Sequence, residues 1–198
     1  MNVESFNRKI SKPVILASAS PRRKELLAGA GIDFDVYVSN AEENSNATHP
    51  GMLAQENAML KARAVGQALG EEARGRLIVS ADTVVALEGE VLGKPKDEED
   101  AVRMLMQLSG KSHEVFTGVC VVKDDITEEF YECTRVNMKP FTEEEARNYV
   151  ATGEPMDKAG SYGIQGLGGA LVESIEGDFN NVVGFPVNAF LAVYKRFL

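Results

Sequence analysis

Apolar and polar positions alternate along this chain in two different periods, and the switches between them mark the elements. Val14-Ile-Leu-Ala-Ser18 is a short apolar run with β-branched residues and predicts a strand. Ser20-Pro21 follows, an N-cap residue and then a proline whose missing N–H suits the first helical position. A helix is expected from Arg22 to Ala30, with Leu26, Leu27 and Ala30 inward and Gly31 at its end. Phe34 to Val38 alternates like a second strand, and Ala41 to Pro50 is polar and rich in turn residues. Met52, Met59, Ala62, Val65 and Leu69 recur at helical spacing. Leu77-Ile-Val-Ser-Ala81 carries the strongest strand signal. It continues through Asp82-Thr83 into Val84–Leu87, and Glu88-Gly89-Glu90 turns it back to Val91-Leu92.

Asp97 caps a helix to Leu108, which Gly110 stops. Val115 to Val122 and Glu129 to Met138 read as strands around a turn at Asp124-Asp125. Thr142 and Glu145 form a capping box for a helix to Ala151, ended by Gly153. Ala170 to Ile175 is strand-like, and a last helix runs from about Val187 to Phe197 with Phe190, Leu191 and Tyr194 inward. Interleaved strands and helices with added hairpins imply an α/β or α+β fold on a mixed sheet. No internal repeat and no low-complexity segment interrupts it.

Composition narrows the function classes. A chain of 198 residues with 44% hydrophobic and 26% charged residues is ordinary globular usage, which excludes a disordered or collagenous protein. No apolar run approaches the ~18 residues of a membrane span. Met1 to Lys12 is polar and lacks the apolar core of a signal peptide. Two cysteines, Cys120 and Cys133, make no disulfide scaffold, so a reducing cytoplasm is the expected compartment and both thiols are expected to be buried filler. The net charge of −9 repels nucleic acid at long range. An anionic ligand then requires a pocket that gathers basic residues or a metal ion.

Three constellations could carry chemistry. Ser18-Ala-Ser-Pro-Arg-Arg23 places two arginines at a helix start, where free N–H groups attract anions. The plain alternative is a capped surface helix with two solvated arginines. Cations in a first turn oppose the helix dipole, and that conflict favours a ligand. Ser80-Ala-Asp82-Thr83 sets a carboxylate inside an apolar strand, costly unless paired, coordinated or at the strand's mouth. The alternative is an aspartate that only satisfies turn N–H groups. The hairpin can return Lys94, in Gly93-Lys94-Pro95, towards Asp82. The third constellation runs from Asp157 to Gly169, with five glycines between Gly160 and Gly169 and Gln165 among them. It is neither a P-loop nor a dinucleotide fingerprint, and a ligand loop and a tightly packed connection are equally compatible with it. Glu42 and Glu43 are weaker candidates for a divalent cation, and Lys61 reads as a helix lysine. His49 and His113 have no zinc spacing.

Six motifs together resemble the Maf family. They are Ser18–Leu27, Ser80–Val85, Gly93–Pro95, Leu108–Val115, Asp157–Gly166 and Asn181–Pro186. The similarity runs from about Val14 to near the C-terminus. It implies a nucleoside triphosphate pyrophosphatase in one domain over residues 1–198, with 1–12 as a poorly ordered extension. The implied architecture is like that of inosine triphosphatase: two lobes flanking a cleft on a long twisted mixed sheet. Arg22, Thr83 and Gln165 match the branch that prefers dTTP and UTP over 7-methyl-GTP. Asp82 matches the family's proton acceptor. Arg23, Lys61 and Lys94 match phosphate-facing cations, with Ser18 and Ser20 beside them. Glu43 with Asp82 matches an acidic site for Mg²⁺ or Mn²⁺. Phe185 stands where leucine is usual, away from the chemistry. A cytoplasmic homodimer acting on a nucleoside triphosphate, with no nucleic-acid or membrane partner, completes what the resemblance implies. The rival is a non-catalytic regulator of cell division acting through a protein partner, which the family's older name, septum formation inhibitor, invites.

Overall fold

The spine of the fold is an eleven-residue strand, Leu77–Leu87, in a computed structural model that describes residues 14–198. The extension expected over 1–12 lies outside the described residues. The elements in chain order are β1 (Val14–Leu16), α1 (Pro21–Gly29), β2 (Phe34–Val36), α2 (Pro50–Leu69), β3 (Leu77–Leu87) and β4 (Glu90–Leu92). They continue with α3 (Glu98–Leu108), β5 (Ser112–Lys123), β6 (Ile126–Met138), α4 (Glu143–Val150), β7 (Val172–Glu176), α5 (Phe179–Val183) and α6 (Val187–Tyr194). The sheet order is β2-β1-β3-β5-β6-β7, with β4 also on β3. The β1 pairings with β2 and β3 are parallel and all others are antiparallel, so the sheet is mixed as expected.

Register explains where a cleft opens. One edge of β3 is paired along its length with β5, from Ile78↔Val122 to Ala86↔Glu114. The other edge is shared by two short strands. β1 takes Leu77 to Val79, and β4 takes Val85 to Leu87. Residues 80–84 therefore have no strand partner on that side among the described residues, and Asp82 lies at the middle of the gap.

The two faces of β3 alternate as strand geometry requires. Ile78 packs with Ala58, Ala62 and Val65 of α2, and Val84 and Ala86 pack with Ala54 of the same helix. On the opposite face Leu77, Val79 and Ala81 join Leu27, Phe185, Phe190 and Tyr194. Val85 and Leu87 join a separate cluster under α3 and α4, with Leu105, Leu108 and Tyr149. Thr83 falls at the seam between these two cores.

Helix α2 sits unusually low on the sheet. Its inner face is built of Ala54, Ala58 and Ala62, and Ser80 Oγ donates to the Ala58 carbonyl at 2.6 Å. Gly118, the β5 residue opposite Asp82, makes the approach possible. A Cβ there would stand 2.3 Å from the main chain of Ala54 and Gln55. Met52, expected inward, is instead 40% exposed because the small residues form the buried stripe.

Other differences are local. The strand expected from Ala170 starts at Val172, because Leu167–Leu171 closes as a 3-10 turn on its glycines. The last helix ends at Tyr194 and continues as a 3-10 turn to Phe197. α5 was not expected, since five residues are too few to display a period. Polar residues at the ends of β5 and β6 still pair, so both strands run to the two-residue turn at Asp124-Asp125. The Asp97 cap and the Thr142/Glu145 capping box form as expected. Cys120 is buried under α2, whereas Cys133 is exposed although the register sets both on the same face, because Cys120 packs with Ala58, Ala62 and Val65 and Cys133 joins no core cluster.

Adding one methyl at Gly118 overpacks the α2 contact. Gly118→Ala should lose about 1–3 kcal/mol, a fall of roughly 3–10 °C in Tm for a chain of this size. Thermal denaturation reads this directly, and an unchanged Tm would contradict the close seat of α2.

Candidate active site

The open edge of β3 and the seam at Thr83 meet in one cleft of about 790 Å³. Its acidic centre is Asp82, 8% exposed. Asp82 Oδ1 accepts from Lys61 Nζ at 2.7 Å, and Oδ2 accepts from Asn57 Nδ2 at 3.2 Å. Asn57 and Lys61 are four residues apart on α2 and so share a face. Lys61 Nζ also contacts Glu43 Oε1 at 2.8 Å, so one ammonium bridges two carboxylates. The bond to Asp82 fixes the Asn57 amide with its nitrogen inward. Its carbonyl oxygen Oδ1 is then buried without a hydrogen-bond partner among the described residues.

The cationic wall comes from α1. Ser20 caps this helix by accepting from the Arg23 N–H at 3.5 Å. The Arg23 side chain turns inward: Nε donates to the Gly184 carbonyl at 2.9 Å, Nη2 to Thr83 Oγ1 at 3.0 Å and Nη1 to Ser18 Oγ at 3.3 Å. Burial pulls the Arg23 guanidinium below its ordinary pKa, and nearby Asp82 works in the opposite direction. Thr83 Oγ1 also meets Thr117 Oγ1 at 2.9 Å, and Thr117 donates to the Asn181 carbonyl at 2.9 Å. The Thr83 hydroxyl is thus committed to the protein. Arg22 reaches Asp157 at 3.6 Å across the cleft mouth.

The far wall is the return of the β3–β4 hairpin and the glycine-rich segment. The Gly160 N–H donates to the Gly93 carbonyl at 3.1 Å and joins the two. Lys94 lines the cleft, is exposed and forms no ion pair with a described residue. Gln165 is exposed on the same wall.

Nine of the sequence candidates therefore line one cleft: Ser20, Arg22, Arg23, Glu43, Lys61, Asp82, Thr83, Lys94 and Gln165. Ser18 lies behind them, buried, its Oγ accepting from Arg23 and from the Ser20 N–H. Glu42 does not line the cleft, which Glu43 does. Lys61 is the reverse of a solvated helix lysine. Sequence reasoning passed over Asn57, Glu154 and Lys158, which also line the cleft. The signal for Asn57 was its place one helical turn before Lys61.

Both histidines are structural. His49 Nδ1 caps α2 by accepting from the Gly51 N–H at 3.1 Å. His113 Nε2 meets Tyr162 Oη at 2.8 Å in the core, and burial pushes its pKa down to about 4. Burial pushes the Cys120 thiol up to about 12, which leaves it unreactive. Among the described residues no three His, Cys, Asp or Glu side chains gather as a metal cage.

Fold and cleft together define a mixed α/β protein with a cation-lined cleft around one buried, charge-paired carboxylate. The chain belongs to the family of Maf-like proteins, whose model matches residues 13–197. It is 48% identical over 190 residues to the dTTP/UTP pyrophosphatase of Dictyoglomus turgidum, covering 94% of this chain and 96% of that protein. It is 46% identical over 187 residues to the dTTP/UTP pyrophosphatase of Bacillus cereus, covering 94% and 90%. It is 45% identical over 188 residues to the dTTP/UTP pyrophosphatase of Thermoanaerobacter sp., covering 92% and 95%. Among solved structures it is similar to a nucleoside-triphosphatase / dITP/XTP pyrophosphatase from Mycobacterium abscessus, with a TM-score of 0.48 and 13% identity over 93% of this chain and 95% of that one.

His113 carries a pH prediction. Its folded-state pKa of about 4 lies below the ordinary 6.5, so the unfolded chain takes up the proton first as pH falls. Neutral, buried His113 therefore contributes about 3 kcal/mol above pH 6.5 that is lost as pH falls towards 4. His113→Gln should flatten this part of the profile. The measurement is the Tm difference between parent and variant from neutral pH to about 4.5; a constant difference would remove His113 as the cause.

Proposed function

We propose that this chain is a nucleoside triphosphate pyrophosphatase that hydrolyses dTTP and UTP to the nucleoside monophosphate and pyrophosphate, clearing such nucleotides from the pool. The observation that carries the reading is Asp82, held by Asn57 and Lys61 in a cleft that Arg22, Arg23 and Lys94 share. The names of the relatives agree with it. They do not favour a non-catalytic regulator of cell division.

A triphosphate brings about four negative charges to a protein that is itself acidic, so local cations must offset them. Lys94, without an ion pair to a described residue, is the cation ready to receive an anion. Arg22 can exchange Asp157 for a phosphate oxygen, and Arg23 is held rigid by three acceptors. Asp82 accepts the proton of the water that attacks the α-phosphorus. The bond from that phosphorus to the bridging oxygen breaks, and pyrophosphate leaves with its charge countered by the cations. Gln165 presents a donor and an acceptor to the pyrimidine edge. Thr83 serves selectivity by aligning Arg23 rather than by reading the base, since its hydroxyl is already engaged.

The residues also fit a divalent cation. Glu43 and Asp82 supply carboxylate oxygens and Asn57 Oδ1 is an unused carbonyl, a hard-oxygen set suited to Mg²⁺ or Mn²⁺. Such an ion, when bound, supplies Lewis-acid stabilisation of phosphoryl charge. With only these two carboxylates, which Lys61 bridges, an ion there would need Lys61 to give up a contact and would draw further oxygens from the substrate. The reading extends to a homodimer in the cytoplasm. Among the described residues no helix is long and apolar enough to cross a membrane.

Product analysis tests the reaction. Parent protein with dTTP and Mg²⁺ should release pyrophosphate and dTMP; dTDP with orthophosphate as first products would sink the reading. Excess chelator should abolish turnover, and full activity in its presence would remove the metal. Asp82→Asn keeps the shape and removes the base. Its kcat should fall by about 10²–10⁴-fold, while a non-hydrolysable dTTP analogue still binds within roughly tenfold of the parent. A kcat within a few-fold of the parent would make Asp82 structural.

A further inference from the structure

The glycine-rich segment rests on a support that the reaction does not use. Glu154 opens a 3-10 turn, Glu154–Asp157, just after α4. Its Oε1 accepts from Tyr149 Oη at 2.8 Å and from the Gly168 N–H at 3.1 Å, and its Oε2 accepts from the Leu167 N–H at 2.9 Å. Tyr149 Oη in turn accepts from the Gly163 N–H at 3.0 Å. Both ends of segment 163–168 are thereby pinned to one Tyr–Glu pair, with Gln165 between them.

The glycines of this segment are explained by that support. A Cβ at Gly166 would lie 2.4 Å from Glu154 Oε2, and one at Gly168 would lie 2.4 Å from Tyr149 Oη. One at Gly163 would lie 2.7 Å from Lys158 Cε. A side chain at any of these positions would have to push Lys158, Glu154 or Tyr149 aside and so disturb the support. Desolvation pushes the Glu154 carboxyl up, but the Gly168, Tyr149 and Leu167 donors and Lys158 outweigh it and hold the pKa below its ordinary value. The carboxylate is thus kept ionised to accept these bonds.

The same turn reaches the other wall. Asp157 pairs with Arg22 at 3.6 Å and with Lys158 at 2.7 Å, and Lys158 Nζ donates to the Glu154 carbonyl at 2.5 Å. One short turn therefore holds both the Gln165 segment and Arg22.

We propose that Glu154 is a specificity-positioning residue: its carboxylate, acting through the main chain of residues 163–168, sets where Gln165 meets the nucleobase. This rests on the reading of Gln165 as the base-facing residue of a dTTP/UTP pyrophosphatase. The Glu154 carboxylate accepts from Tyr149, Leu167 and Gly168, so its part is to position the segment rather than to react.

The experiment compares kcat and KM for dTTP and dGTP in the parent, Glu154→Gln, Gln165→Ala and the double variant. Glutamine keeps the size of the side chain but turns an NH₂ donor towards an N–H or O–H donor, so one anchor of the segment is lost. Glu154→Gln should lower the dTTP-over-dGTP ratio of kcat/KM about tenfold. The loss should come through KM for dTTP, with kcat within about threefold of the parent. If Glu154 acts through Gln165, the double variant is no less selective than Gln165→Ala alone. An unchanged ratio in Glu154→Gln, or additive losses in the double variant, overturns the proposal. Should circular dichroism show Glu154→Gln unfolded, Tyr149→Phe removes the hydroxyl between Gly163 and Glu154 and carries the same test. Its ratio must then fall, and full selectivity in that variant overturns the proposal equally. A parent with no preference for dTTP would instead refute the substrate reading itself, and the inference with it.

Discussion

A carboxylate buried in the middle of a strand is the constraint on which this structure depends. An ionised group taken out of water costs several kcal/mol unless charge and hydrogen bonds replace its hydration. At Asp82 the replacement is Lys61 on one oxygen and Asn57 on the other, both delivered by α2. Delivery requires the helix to lie close, and closeness requires alanines on its inner face and no side chain on Gly118. The division of β3's other edge between β1 and β4 then leaves the carboxylate reachable from the cleft. Removing one partner while keeping the charge would strand Asp82, so helix, glycine and acid form one unit.

The opposite face of β3 follows a different logic. There the two hydrophobic cores stop short of each other, and Thr83, Thr117 and Asn181 fill the seam with a chain of hydrogen bonds. Arg23 is docked onto that chain from α1. Its charge is therefore held in a fixed place before any anion arrives, which is the form of preorganisation that electrostatic catalysis relies on. Lys94, on the opposite wall, is exposed instead of docked. The cleft so combines a hydrogen-bonded cation, an exposed cation and a charge-paired carboxylate within an acidic protein.

The hydrophobic pattern carried the long elements well, because β3, α2, α3 and α4 each have enough residues to display a period or a cap. It missed α5 and misplaced the start of β7, where a few residues and several glycines leave no period to read. Asp82 was legible as an anomaly, a charge in an apolar run, and Arg22 and Arg23 as cations opposing a helix dipole. Asn57 was not, because an amide on a helix is unremarkable until the helix is seen to lie on Asp82. The glycine-rich segment looked like ligand contact and tight packing in equal measure; in the structure Gly163, Gly166 and Gly168 lie directly against Lys158, Glu154 and Tyr149.

By itself the sequence determined the mixed α/β class, the order of the main elements, the acidic character and the residue types able to meet a polyanion. These are properties of local propensity, periodicity and composition, which act over a few neighbouring residues. Only the tertiary structure decided which groups are neighbours. It set the Glu43–Lys61–Asp82 bridge, the commitment of Thr83 to Arg23, and the exposure of Cys133 and Met52. The reason is physical: contacts between residues 21 to 64 positions apart, such as Lys61 with Asp82 or Thr117 with Asn181, are fixed by register and helix seating. No local rule of the chain encodes either one.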